Sequence, residues 1–164
     1  MHTMKKYAWL FAALIHVMLS GCVKPSESAL PEVIVHKSAT CGCCKVWAQH
    51  LRNAGFSVVV RNSEDLTPVK QRLGVPPRVG SCHTAEVGGY FIEGHVPVED
   101  IARLLRERPD AKGLAVPGMP RGSPGMEAPP EDVQPYDVLL VARDDNTVVF
   151  AQHNKPQGGQ RTSE

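Results

Sequence analysis

Cys41-Gly-Cys43-Cys44 places three thiols within four residues, and Cys82-His83 sets a fourth thiol beside an imidazole. Cys41 and Cys44 have the Cys-x-x-Cys spacing of a redox dithiol. At the start of a helix, the partial positive charge and free N–H groups of the first turn would lower a thiol pKa there. Cys43 complicates that chemistry, because it offers a competing resolving thiol inside the motif. Cys43 and Cys44 make a poor disulfide with each other, since a vicinal bridge strains the intervening peptide. For a soft metal the crowding is an advantage: three neighbouring thiolates can bind or bridge Cu(I) ions. In an oxidising compartment the plain expectation for four thiols is two disulfides instead.

Nitrogen and thioether donors extend the set. Cys82 and His83 would point to opposite faces of a continuous strand, so both reach one site only where the strand bulges or ends. His95, beyond the next hairpin, is a further nitrogen donor. His36 is open to ligation or to an ordinary hydrogen bond, whereas His50 and His153 read as solvated or hydrogen-bonded side chains without a metal. Pro-Gly-Met occurs twice, at Pro117–Met119 and Pro124–Met126, in a loop with no obvious core role. Thioethers select Cu(I) over hard ions, which makes Met119 and Met126 candidate ligands; their other reading is a cover for apolar surface.

The elements that must carry these residues are short. A β-branched run over 32–37 predicts a first strand, and residues 38–42 supply turn and capping side chains. A helix follows over 43–52, with Val46, Trp47 and Leu51 on one face, then a strand over 56–60 and a helix over 66–73 ended by Gly74. The Val75-Pro76-Pro77 segment must be extended or turned. Strands over 81–87 and 90–93 form a hairpin through Gly88-Gly89, and Pro97 opens a helix over 98–108 with an apolar stripe at Ile101, Leu104 and Leu105. Residues 109–135 read as a proline- and glycine-rich loop, and strands over 137–142 and 147–151 close the domain. The order β-α-β-α-β-β-α, with a Cys-x-x-Cys after the first strand, resembles the thioredoxin/glutaredoxin architecture: a single α/β domain, here with an added C-terminal β-hairpin. Such a fold sets Cys41–Cys44 beside the proline turn and the segment leading into Cys82.

The N-terminus reads as an address. A basic start through Lys6 leads into an apolar run over 7–19 that is too short to span about 30 Å of hydrocarbon but fits a secretory leader. Leu19-Ser20-Gly21-Cys22 resembles the bacterial lipobox, which makes Cys22 the expected lipidation site and the new N-terminus. The chain is thus divided into a lipoprotein signal peptide over 1–21, a flexible tether over 22–31, a metal-binding domain over 32–152 and a disordered polar tail over 153–164. Acyl chains at Cys22 would hold the domain on a membrane facing the periplasm, and Val23 in place of aspartate favours the outer membrane.

Composition removes other classes. The chain has 164 residues, enough for one domain and its ends, and fourteen prolines, which exclude an all-helical bundle. Eighteen basic against seventeen acidic side chains, with no basic run, leave no electrostatic footprint for nucleic acid. Nothing identifies an organic substrate, a general base or a nucleotide site.

Four separated segments then carry a specific likeness. Thr40-Cys-Gly-Cys-Cys-Lys-Val-Trp47, Ser81-Cys-His-Thr-Ala-Glu86, Gly89-Tyr-Phe-Ile-Glu-Gly-His-Val-Pro97 and the stretch from Gly113 to Met126 together resemble the CopG-type family of exported bacterial copper-resistance proteins, over residues 33–150. The resemblance implies a thioredoxin-like fold, a cysteine-bridged multinuclear copper cluster and a role in copper handling with Cu(I)/Cu(II) conversion. Carried over by motif, Cys41, Cys43, Cys44 and Cys82 become the cluster thiolates and His83 and His95 additional ligands, with Met119 and Met126 matching the loop motif. The implied partners are copper ions and other periplasmic copper-handling proteins. Two other readings stay open: a thiol–disulfide oxidoreductase using Cys41 and Cys44, and a structural zinc module built from the same residues.

Overall fold

A computed structural model describes residues 30–155 of the chain; the expected leader, the expected acylation site at Cys22, the expected tether up to residue 29 and the tail beyond Lys155 lie outside the described residues. The β-branched run Val33–Lys37 forms strand β1, with Val33 and Val35 fully buried. Helix α1 (Gly42–Asn53), β2 (Val58–Asn62), α2 (Thr67–Leu73), β3 (His83–Val87), β4 (Tyr90–Glu93) and α3 (Val98–Glu107) follow. This is the expected β-α-β-α-β-β-α order, with boundaries moved by one or two residues. Three more strands, β5 (Ala111–Ala115), β6 (Tyr136–Ala142) and β7 (Thr147–His153), complete a mixed α/β fold with one seven-stranded sheet.

The strand order is β2-β1-β3-β4-β5-β6-β7. β1 runs parallel to β2 and β4 parallel to β5, while the remaining neighbours are antiparallel. The segment 109–135, expected as loop, therefore contains a strand. Ala111-Lys-Gly-Leu-Ala115 has no β-branched residue and a central glycine, so it carries no strand signature of its own. It becomes one because β4 and β6 supply ladder partners on both sides. Gly113 is required for that approach: a Cβ there would fall 2.0 Å from the Phe91 carbonyl oxygen.

Period-two alternation sorts the strand side chains onto two faces. On one, Ile92 and Leu114 join Val33, Val35 and Ala85 beneath Trp47 and Leu51 of α1 and Ile101 and Leu104 of α3. On the other, Phe91, Ala115 and Val141 pack with Val75, Val79 and Leu73, the last from α2. No helix among the described residues is long and apolar enough to cross a membrane.

Glu86 of β3 clips α2 and β1 to the sheet. Its carboxylate accepts from Arg72 at 2.7 and 2.9 Å and lies 2.8 Å from Nε2 of His36. The Arg72 guanidinium, with help from His36 and against partial desolvation, pulls the Glu86 carboxyl from 4.5 down to about 2. A depressed acid stabilises the fold fully above its unfolded pKa and loses that contribution as pH falls through the folded one. Glu86→Gln is therefore expected to cost about 1 kcal/mol at pH 7, the scale of a solvent-screened pair. The penalty should shrink between pH 4.5 and 2 and vanish below, as read by urea unfolding across that range. A pH-independent difference would contradict this.

Candidate metal centre

Lys37 stands opposite His83 in the antiparallel β1–β3 ladder, so the end of β1, where α1 begins, and the start of β3 meet at one end of the sheet. Cys41 is the N-cap of α1, and its Sγ accepts from the Cys44 amide at 3.3 Å. Cys43 and Cys44 occupy the first turn. Strand β3 begins only at His83, two residues later than expected, and Cys82 lies in the bend just before it. Because the ladder starts after Cys82, its side chain escapes the alternation that would send it away from His83.

The sulfurs and imidazoles form a close-set cluster. Cys43 Sγ is 3.5 Å from Cys41 Sγ, Cys41 and Cys44 are joined as a disulfide, and Cys44 Sγ is 3.5 Å from Cys82 Sγ. Cys82 Sγ in turn lies 3.3 Å from His83 Nδ1 and 3.2 Å from His95 Nε2. Two donor groups result, each with its atoms within 4.8 Å of one another: the four cysteines, and Cys82 with His83 and His95. Cys82 belongs to both. The expectation of two disulfides is corrected here: one forms, and Cys43 and Cys82 remain thiols. Their sulfurs are held close to the bridge but by separate elements.

The protonation pattern leaves donors to spare. His95 Nδ1 is 2.8 Å from the Pro124 carbonyl oxygen, which can only accept, so that nitrogen carries the proton and Nε2 presents its lone pair to Cys82. Burial lowers the His95 pKa against this hydrogen bond. Burial, then the neighbouring His95 and Lys70, lowers His83 from 6.5 to about 3. Both rings are therefore neutral at pH 7. Nε2 of His83 is buried with no hydrogen-bond partner, an uncompensated polar atom of a kind native interiors rarely leave. Burial, followed by the charge of Cys43 and against a hydrogen bond from Ser81, pushes the Cys82 thiol from 9.0 up to about 11. Trp47 backs the site, its ring 4.4 Å from that of His83 and its Nε1 donating to the Val96 carbonyl at 2.9 Å.

The other candidates separate. His36 pairs with Glu86, His50 with Glu127 at 2.7 Å and His153 with Asp100 at 2.6 Å, each through Nε2 and none at the sulfur cluster. Met126 is half-buried on the loop whose Pro124 anchors His95, while Met119 is 51% exposed. Sequence reasoning passed over Lys70, Ser81 and Glu93, which hold the Cys82 bend. The signal for them was a glutamate closing the otherwise apolar strand Tyr-Phe-Ile-Glu, since a buried charge needs a partner.

With the Cys41–Cys44 bridge reduced, four cysteine sulfurs and two neutral imidazoles would be a soft donor set, suited to Cu(I) and well beyond the four ligands of a closed zinc site. A sequence family described as "Protein of unknown function, DUF411" matches residues 79–126, the span holding Cys82, His83, His95, Met119 and Met126. No curated protein matches the chain. Two solved structures, "Copper resistance protein copG" in Form 1 and in Form 2, are each 48% identical to it. Each alignment covers 76% of this chain and 98% of the other, with a TM-score of 0.71.

Proposed function

This chain belongs to the CopG-type copper-resistance family, and on that premise we propose that it is an exported copper-binding protein holding several Cu(I) ions on Cys41, Cys43, Cys44 and Cys82. His83 and His95 flank the cluster, and Met119 and Met126 offer thioethers from the adjoining loop. The observation that carries the reading is Cys82, whose sulfur is common to a four-sulfur group and a sulfur–imidazole group. Ligating sulfur must be thiolate, so the form that holds the full cluster is the one with the Cys41–Cys44 bridge reduced, and Cys82 gives up its proton on binding. Copper bound there would be kept from open solvent, with nearby imidazoles available to stabilise Cu(II) if the ion cycles. We read β1–β4 with α1–α3 as a thioredoxin-like core and the C-terminal strands as its extension. Acylation at Cys22 would place the domain at the outer membrane, facing the periplasm.

Anaerobic reconstitution of the reduced protein with Cu(I), followed by metal counting, tests this. Several copper ions per chain, with thiolate-to-copper absorption that disappears when the four cysteines are changed to serine, is the expected result. One tightly held zinc ion, with Cu(I) binding no better than in that serine control, would overturn it. The Cys41–Cys44 disulfide favours a second reading, a thiol–disulfide oxidoreductase. Full disulfide reductase activity in metal-free Cys43→Ser protein would select that one.

A further inference from the structure

Ser81, the residue before Cys82, is gripped at both of its backbone polar groups by one ion pair between the fully buried Glu93 and the half-buried Lys70. Glu93, at the end of β4 and fully buried, accepts from the Ser81 amide at 2.5 Å through Oε1 and from the Thr84 hydroxyl at 2.7 Å through Oε2. Lys70, reaching in from α2, donates to Glu93, to the Ser81 carbonyl at 3.2 Å and to the Thr84 hydroxyl at 2.9 Å. All three ammonium protons are thereby used and both carboxylate oxygens are filled. On the outer side the Ser81 hydroxyl donates to the Gly118 carbonyl at 2.5 Å.

An ion pair whose carboxylate is fully buried is a poor way to gain stability, because desolvation offsets much of the attraction and a well-packed apolar pair often does as well. What an apolar pair cannot do is hold an amide and a carbonyl of one bend in fixed positions. We infer that Lys70 and Glu93 are positioning residues for the metal centre, clamping the Ser81–Cys82 bend so that Cys82 Sγ sits between Cys44 and the two imidazoles. The inference rests on the copper reading above for its functional meaning, but the placement of the thiol is testable without metal.

The test compares wild type, Lys70→Met/Glu93→Leu, Cys82→Ser and the triple variant. Two readouts are used: Cu(I) competition against a chromophoric chelator, and the alkylation rate of Cys82 in metal-free disulfide-containing protein, read by peptide mass. Loss of a supporting partner typically costs about 10–100-fold in metal affinity, and that loss is expected of the double variant. Cys82 should also alkylate several-fold faster once its bend is released. In the Cys82→Ser background the same double change should cost no further affinity, because its target is gone. Wild-type affinity in the double variant, or a loss that adds fully to that of Cys82→Ser, would overturn the proposal. Should the wild type bind no Cu(I), the copper reading fails; faster Cys82 alkylation would still support the clamp, and an unchanged rate would refute it. If the double variant does not fold, Glu93→Gln with Lys70 retained replaces it, with the same directions and smaller size.

Discussion

Cys82→Ser is expected to weaken Cu(I) binding by at least about 100-fold, equivalent to about 2.7 kcal/mol. It should do so while leaving the fold almost untouched. The change exchanges a soft sulfur for a hard hydroxyl oxygen of similar size at the one position shared by both donor groups. It removes the neighbour of Cys44 at 3.5 Å and of His95 at 3.2 Å in a single step, so the sulfur group and the imidazoles lose their junction. Cys82 lies half-buried in a bend outside both apolar clusters, and urea unfolding should shift little. Cys43→Ser is the informative comparison. Its sulfur, 3.5 Å from Cys41, belongs to the four-sulfur group but not to the sulfur–imidazole group, so its loss should cost about tenfold. Anaerobic competition against a Cu(I)-selective chelator measures both. Equal affinities for wild type and Cys82→Ser would remove Cys82 from the centre.

Gly94→Ala should be the most damaging single substitution to stability near the site, costing about 2–4 kcal/mol. Gly94 has φ +72°, a conformation that penalises any side chain. A Cβ there would also lie 2.5 Å from the Val116 carbonyl oxygen, 2.6 Å from Ser81 Oγ and 2.7 Å from Ser81 Cβ. The Val116 carbonyl is backbone and cannot rotate aside, and Ser81 is pinned to Glu93 and Gly118. Relief must come from moving the bend that carries Cys82, so copper affinity should fall together with stability. Gly42→Ala is the control: nothing lies within 4 Å of its Cβ position, and α1 begins there. Urea denaturation of the metal-free proteins decides the matter. A cost below about 1 kcal/mol at position 94 would mean that the bend yields freely.

Much of the centre was legible because its signals are local. Cys41 as a cap before a helical run, the Gly88-Gly89 turn between two short strands, and the need for a strand end at Cys82-His83 all follow from neighbours within a few positions. What could not be read depends on distant partners. Lys70 and Glu93 meet across separate elements, and neither residue alone says which charge it will find. Strand β5 exists because β4 and β6 flank it, and its small residues show no period to betray it. The sequence around His36 does not choose between ligation and hydrogen bonding, because Glu86, which answers the question, stands fifty positions away.

The pairing of His36, His50 and His153 with carboxylates has a consequence for how this surface treats a passing cation. Each of these imidazoles already has an acid occupying its Nε2, and a metal ion would have to break that partnership to use it. Among the described residues, only where α1 meets β3 do ring nitrogens face sulfur instead of oxygen. Competing landing points among the described residues would thus be blunted, and sparse cargo on the proposed function would be steered to a single berth.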